Sequence, residues 1–162
     1  MQCKQLIRTG LTQSDTIVQG YLQDLTDGEL LARPCKDANH IAWQLGHLIK
    51  AEHYFGERVS PGSMRPLPVG FGDQYNKQTC ASDDGGKFLN KAQYLELMKQ
   101  VRADTLKLVD KLSDSDLDKP VDKVPPFIKT AGEALLFNGS HWLMHAGQWA
   151  VTRRTLGRPP LF

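Results

Sequence analysis

Apolar residues recur at three- and four-residue intervals in four stretches of the chain, the spacing that gathers them on one face of an α-helix. In residues 4–25 the face holds Ile7, Leu11, Val18, Leu22 and Leu25. In residues 39–59 it holds Ile41, Leu45, Leu48, Phe55 and Val59, and in 91–112 Tyr94, Leu97, Met98, Val101, Leu108 and Leu112. A fourth helix is predicted over 131–156. Asn90 with Gln93, and Thr130 with Glu133, have the spacing of capping boxes at two of the starts. Gly157 followed by Pro159 and Pro160 is a stop for the last helix. No stretch alternates polar and apolar residues with β-branched enrichment, so the pattern predicts an all-α fold with no sheet.

The connectors set the expected topology. The second, over about residues 60–89, is rich in Gly and Pro. A 20-residue helix is about 30 Å long, and a connector of this length can cross that distance to join parallel helices. The expectation is one domain over residues 1–162, a four-helix bundle in up-down-down-up order with helices two and three parallel. Loops this long tend to be functional. This one carries Phe71, Asp73 and Tyr75 close together. Two roles stay open: a lid in which Phe71 or Tyr75 restricts solvent access to a site, or an ordered loop whose aromatics seal the core.

Composition narrows the function classes. Of 162 residues, 40% are hydrophobic and 23% charged, which excludes a disordered chain and a fibre. No apolar run approaches the roughly 18 residues of a membrane span, and the first fifteen residues have no secretory h-region. The net charge of +2 comes from scattered basic residues, so nucleic acid is not an expected partner. Arg153, Arg154 and Arg158 cluster where a helix C-terminus favours cations. Cys3, Cys35 and Cys80 are widely spaced and form no CxxC, which fits a reducing cytoplasm. Nothing beside Cys35 in sequence would activate its thiol.

The candidate chemistry lies in the histidines. His141 and His145, in HWLMH, sit four residues apart on one helix, so both imidazoles face the same way and can bind one metal ion. Their face also carries Ala134, Phe137, Gln148 and Thr152, the mixed lining of a cavity. The alternative is a pair of histidines that are solvent-facing or singly hydrogen-bonded in the core. Trp142 follows the first histidine where a zincin has its catalytic Glu, so no base is supplied there. His47, on the second helix beside Gln44 and Ala51, is the third ligand candidate. Gly46 before it would permit close helix approach. His40 reads as a helix-start or surface residue and His53 as surface. Glu52 falls within the apolar stripe and needs partners there. It is either a structural hydrogen-bond acceptor, a support for a ligand imidazole or a general base. Trp43 and Tyr54 share the side of His47 and, with Gln44 and Gln148, are pocket candidates; Trp142 and Trp149 read as core.

GHLIKAEHYF on the second helix and HWLMHAGQWAVTRRTLG on the fourth resemble the DinB/YfiT-like metalloenzyme superfamily, with LARP before the second helix also similar. The resemblance spans nearly the whole chain. It implies a four-helix fold, a homodimer, and a three-His site at His47, His141 and His145 that binds zinc or nickel, sometimes iron, with open positions. Three neutral imidazoles plus water are the ligand set of an open, catalytic zinc site. Relatives include S-transferases and isomerases that use low-molecular-weight bacterial thiols. AWQLGH is also similar to a segment of ergothioneine-forming sulfoxide synthases, whose second catalytic domain has no counterpart in these 162 residues. The resemblance therefore implies a metal-dependent transferase acting on a small molecule, with a thiol as cosubstrate. A metal-dependent hydrolase and a non-catalytic metal-binding bundle are the alternatives.

Overall fold

The computed structural model describes residues 2–161, and its long elements are four helices. These are α1 (Cys3–Leu22), α2 (Ile41–Val59), α4 (Lys91–Lys111) and α6 (Ala131–Thr155). Two four-residue helices, α3 (Phe71–Gln74) and α5 (Asp114–Leu117), lie in the connectors. Among the described residues there is no strand, only an isolated bridge between Pro120 and Thr130.

The helix limits follow from their caps. Asn90 with Gln93 and Thr130 with Glu133 form reciprocal capping boxes, as their spacing predicts. The second helix starts at Ile41 rather than 39 because His40 is its N-cap, its Nδ1 accepting from the Trp43 amide at 3.0 Å. His40 is fully buried, not at the surface, since its Nε2 meets the Ser82 carbonyl at 3.0 Å. The first helix ends at Leu22 rather than 25, where Lys91 Nζ donates to the carbonyls of Leu22, Gln23 and Leu25.

The long helices meet in definite order. Lys4, Leu11 and Leu22 of α1 meet Leu112, Arg102 and Lys91, the reverse order along α4 and its end. Gln44, Glu52 and Phe55 of α2 meet Gln148, Trp142 and Phe137, the reverse order along α6. Gly10 and Tyr21 of α1 meet Gly139 and Arg153, the same order along α6. A Cβ on Gly139 would stand 3.0 Å from the Gly10 carbonyl oxygen, so this pair of small residues sets how closely α1 and α6 pack.

The core joins all four long helices, with Trp142 and Trp149 among its largest buried side chains. Glu52 and Arg102 are buried within it as a two-pronged ion pair at 2.9 and 3.0 Å. Trp142 Nε1 donates to the same carboxylate at 2.7 Å, and Arg102 continues to the Leu11 carbonyl and to Ser14. This network ties α1, α2, α4 and α6 together and fixes the rotation of α6. With Trp142 held inward on its own side, the neighbouring His141 is turned toward α2.

Phe71 and Tyr75 are buried aromatics of an ordered loop, and Tyr75 also lines the cavity that holds His47. Both are 2% exposed and belong to the core. Tyr75 OH lies 2.8 Å from Tyr94 OH, and its ring lies against Gly46, where a Cβ would come within 2.1 Å. Gly46 therefore admits an aromatic ring of the connector, not another helix.

Candidate metal centre

His47 of α2 and His141 and His145 of α6 converge. One ring nitrogen from each lies within 4.8 Å of the others. Their centroids are 5.1–5.4 Å apart, and all three rings are half-buried.

A different neighbour orients each ring. Trp43 stacks on His47 at 5.2 Å with a 6° interplanar angle. Trp43 is itself fixed by its Nε1, which donates to Thr79 Oγ1 at 3.1 Å. Phe137, one turn before His141, stacks on it at 5.3 Å and 17°. His145 is held by Gln44, whose Oε1 lies 2.9 Å from His145 Nδ1.

The Gln44 contact fixes a proton. Indole N–H is only a donor, so the Gln44 atom 2.8 Å from Trp149 Nε1 must be the amide oxygen. The same oxygen faces His145 Nδ1, which must then carry the proton. Its Nε2 is left with a lone pair, the form a metal requires. The Gln44 amide nitrogen donates to the Asn39 carbonyl at 2.6 Å and to Gln148 Oε1 at 3.1 Å. Buried Gln44 is thereby engaged at both ends. Among the described residues the ring nitrogens of His47 and His141 have no hydrogen-bond partner.

Electrostatics keeps the cluster neutral. Burial lowers the pKa of His47, helped by the Lys50 charge. Burial and then His47 lower His141 to about 4. Burial, His141 and His47 lower His145 to about 3. Neutral imidazoles with unengaged nitrogens fit a divalent cation, which would otherwise compete with protons for them.

Of the other expected site residues, Trp43 and Tyr54 share a cavity with His47. Gln44 and Gln148 do not line that cavity: Gln44 is turned to His145 and Trp149, and Gln148 stands behind it as its acceptor. Glu52 reaches no imidazole. Both its oxygens serve Arg102 and Trp142, which makes it the structural acceptor among its three readings. His53 is partly exposed and bonds the Arg65 carbonyl. Sequence reasoning missed Thr79 and Lys50: the first supports Trp43 from 36 residues away, which no local spacing signals.

The cavity beside His47 has a volume of about 740 Å³ and is walled by α2 and the long connector. Trp43, Ala51, Tyr54, Phe55, Leu67 and Tyr75 make it mostly apolar. Its one carboxylate, Glu57, accepts from the amides of Gly62 and Met64 at 2.9 and 2.8 Å.

Residues 11–149 match the family model described as the DinB superfamily. A solved structure, described as a conserved protein from Enterococcus faecalis, has the same fold. It superposes with a TM-score of 0.73 at 15% identity, covering 98% of this chain and 99% of that one. Comparison with curated proteins finds no match.

Proposed function

This chain belongs to the DinB superfamily, and we propose that it is a metal-dependent enzyme that joins a low-molecular-weight thiol to an electrophile. His47, His141 and His145 would hold one divalent ion, zinc or nickel with iron as the third choice. The observation that carries the reading is the lack, among the described residues, of an unengaged carboxylate at the site. Glu52 is bound to Arg102 and Trp142, and Glu57 to two backbone amides. Even with water acidified on the ion, hydrolysis would draw on a protein carboxylate to carry the proton to its leaving group. A thiol needs no protein base once its proton has gone. When bound, the ion would supply the positive charge that lowers the thiol pKa.

The chain's own residues do the positioning. Gln44 holds His145 in one tautomer, Trp43 and Phe137 fix the other two rings, and the apolar cavity takes the electrophile out of water. In the transfer the thiol sulfur bonds to the electrophilic carbon. The leaving group departs with its bonding pair, and the thiol proton passes to solvent. The order of interhelix contacts supports an up-down-down-up bundle. Exposed Leu136, Leu143, Met144 and Val151 on α6 support a homodimer. The unpaired cysteines support a cytoplasmic setting, and no helix of the described residues is long and apolar enough to cross a membrane.

The test is a thiol screen on zinc- and nickel-loaded protein, with glutathione, cysteine and coenzyme A against 1-chloro-2,4-dinitrobenzene. Thioether formation above background is expected, with loss in the His141→Ala variant. Hydrolysis of activated esters with no thiol dependence would count against the transferase in favour of a hydrolase.

A further inference from the structure

The cavity beside His47 has a polarity that the three-His site does not explain. Its walls are aromatic and aliphatic, yet two lysines, Lys50 and Lys77, line it. Among the described residues neither forms an ion pair. The single carboxylate in the lining, Glu57, turns its oxygens to the Gly62 and Met64 amides.

Lys50 is also placed, not merely present. It stands three residues after His47 on α2, on the same side of the helix. Its Nζ donates to the Gly72 carbonyl at 2.7 Å, which holds the half-buried ammonium against the connector wall. An ammonium has three protons, so two remain for another acceptor. Lys77 is exposed and brings a second positive charge from the connector.

A volume of about 740 Å³ suits a small organic molecule rather than water alone. Apolar walls favour a flat or aliphatic body and give little to a thiol rich in amides and hydroxyls. The unpaired cations favour one negative group on that body. We propose that the cavity binds the electrophilic substrate and that this substrate is an apolar acid: a hydrophobic, ring-bearing body with one carboxylate or similar anion paired to Lys50. Lys50 is then a specificity-determining residue. The ammonium takes the anion while the body lies along Trp43, Tyr54 and Phe55, beside His47. This inference rests on the transferase reading for its reaction, but the binding preference stands without it.

Binding to metal-free protein separates the two. The probes are 2-naphthoate and 2-naphthamide, which share a body and differ in charge, measured by titration calorimetry at low salt. A charged hydrogen bond in a half-buried site predicts that the naphthoate binds about tenfold more tightly than the amide. Lys50→Gln should remove that preference while leaving amide binding near its original value, and Lys50→Arg should keep most of it. Equal affinity of the two probes, or an unchanged preference in Lys50→Gln, overturns the proposal. So does a parallel loss of both probes in Lys50→Gln, since that marks Lys50 as a prop for the connector. Tight naphthoate binding with no thioether formation would uphold the anion site and reject the transferase reading.

Discussion

Gln44 and His145 stand 2.9 Å apart across the α2–α6 contact, amide oxygen to ring Nδ1. Because the same oxygen also accepts from Trp149, the amide cannot turn over without setting two N–H groups against each other. A residue from one helix thus decides which nitrogen a histidine on another helix offers to an ion.

Replacing Gln44 by Ala frees that ring to take either tautomer and to rotate. Loss of such a supporting hydrogen bond typically costs about 10–100-fold in metal affinity. Zinc affinity, measured by competition with a chromophoric chelator, should fall by that factor while far-UV circular dichroism stays unchanged. Gln44→Glu, which keeps an acceptor facing His145, should lose less.

The metal-free protein should be acid-sensitive in a defined window. Unfolded histidines titrate near 6.5, whereas the folded values of His141 and His145 are about 4 and 3. A folded pKa below the unfolded one means that stability is complete above pH 6.5. It is lost as pH falls, because the unfolded chain takes up protons first. Urea midpoints should therefore drop between about pH 6.5 and 3. The slope should be shallower in a variant with His47, His141 and His145 all replaced by Ala. Buried His40, also shifted downward by desolvation, leaves that variant a residual slope. Identical slopes would show that the three rings are not shielded in the folded state.

Gly46→Ala tests the contact between α2 and the connector. The new methyl would fall within 2.1 Å of the Tyr75 ring, and overpacking of this kind costs about 1–3 kcal/mol. The thermal midpoint should drop. In the double variant with Tyr75→Leu the two losses should be less than additive, since the ring that clashes has gone. Strict additivity would place the two residues out of contact.

Glu52→Gln separates the structural network from the metal site. Removing one charge of a buried pair leaves Arg102 uncompensated, with a cost of about 3–5 kcal/mol. Stability to urea should fall by that order, while metal content per folded chain stays as in the parent. A folded variant with reduced metal content would tie the carboxylate to the imidazoles after all.

The four long helices were legible because each is long enough to show its period, and because two begin on capping boxes that the sequence spells out. The short α3 and α5 were not, since four residues cannot display a helical repeat. The Ser113 and Asp116 box that opens α5 is hidden in an acidic, polar connector. The His47, His141 and His145 set was readable from spacing and resemblance. What holds those rings was not, because Gln44 finds His145 and Trp43 finds Thr79 across 101 and 36 residues. Glu52 looked out of place in an apolar stripe for a sound reason. Its partner Arg102 lies 50 residues away, and no local pattern announces a buried cation. The two aromatics of the connector were visible as a feature, but only packing against Gly46 and Tyr94 shows that they face the core.

Metal content tests the three-histidine centre most directly. Protein expressed in zinc- and nickel-supplemented medium, desalted and analysed by inductively coupled plasma mass spectrometry, should carry about one divalent ion per chain. The His141→Ala and His145→Ala variants, folded by circular dichroism, should carry close to none. Parent protein without metal even after loading with excess zinc or nickel, or variants that keep the parent's content, would contradict a metal centre at His47, His141 and His145.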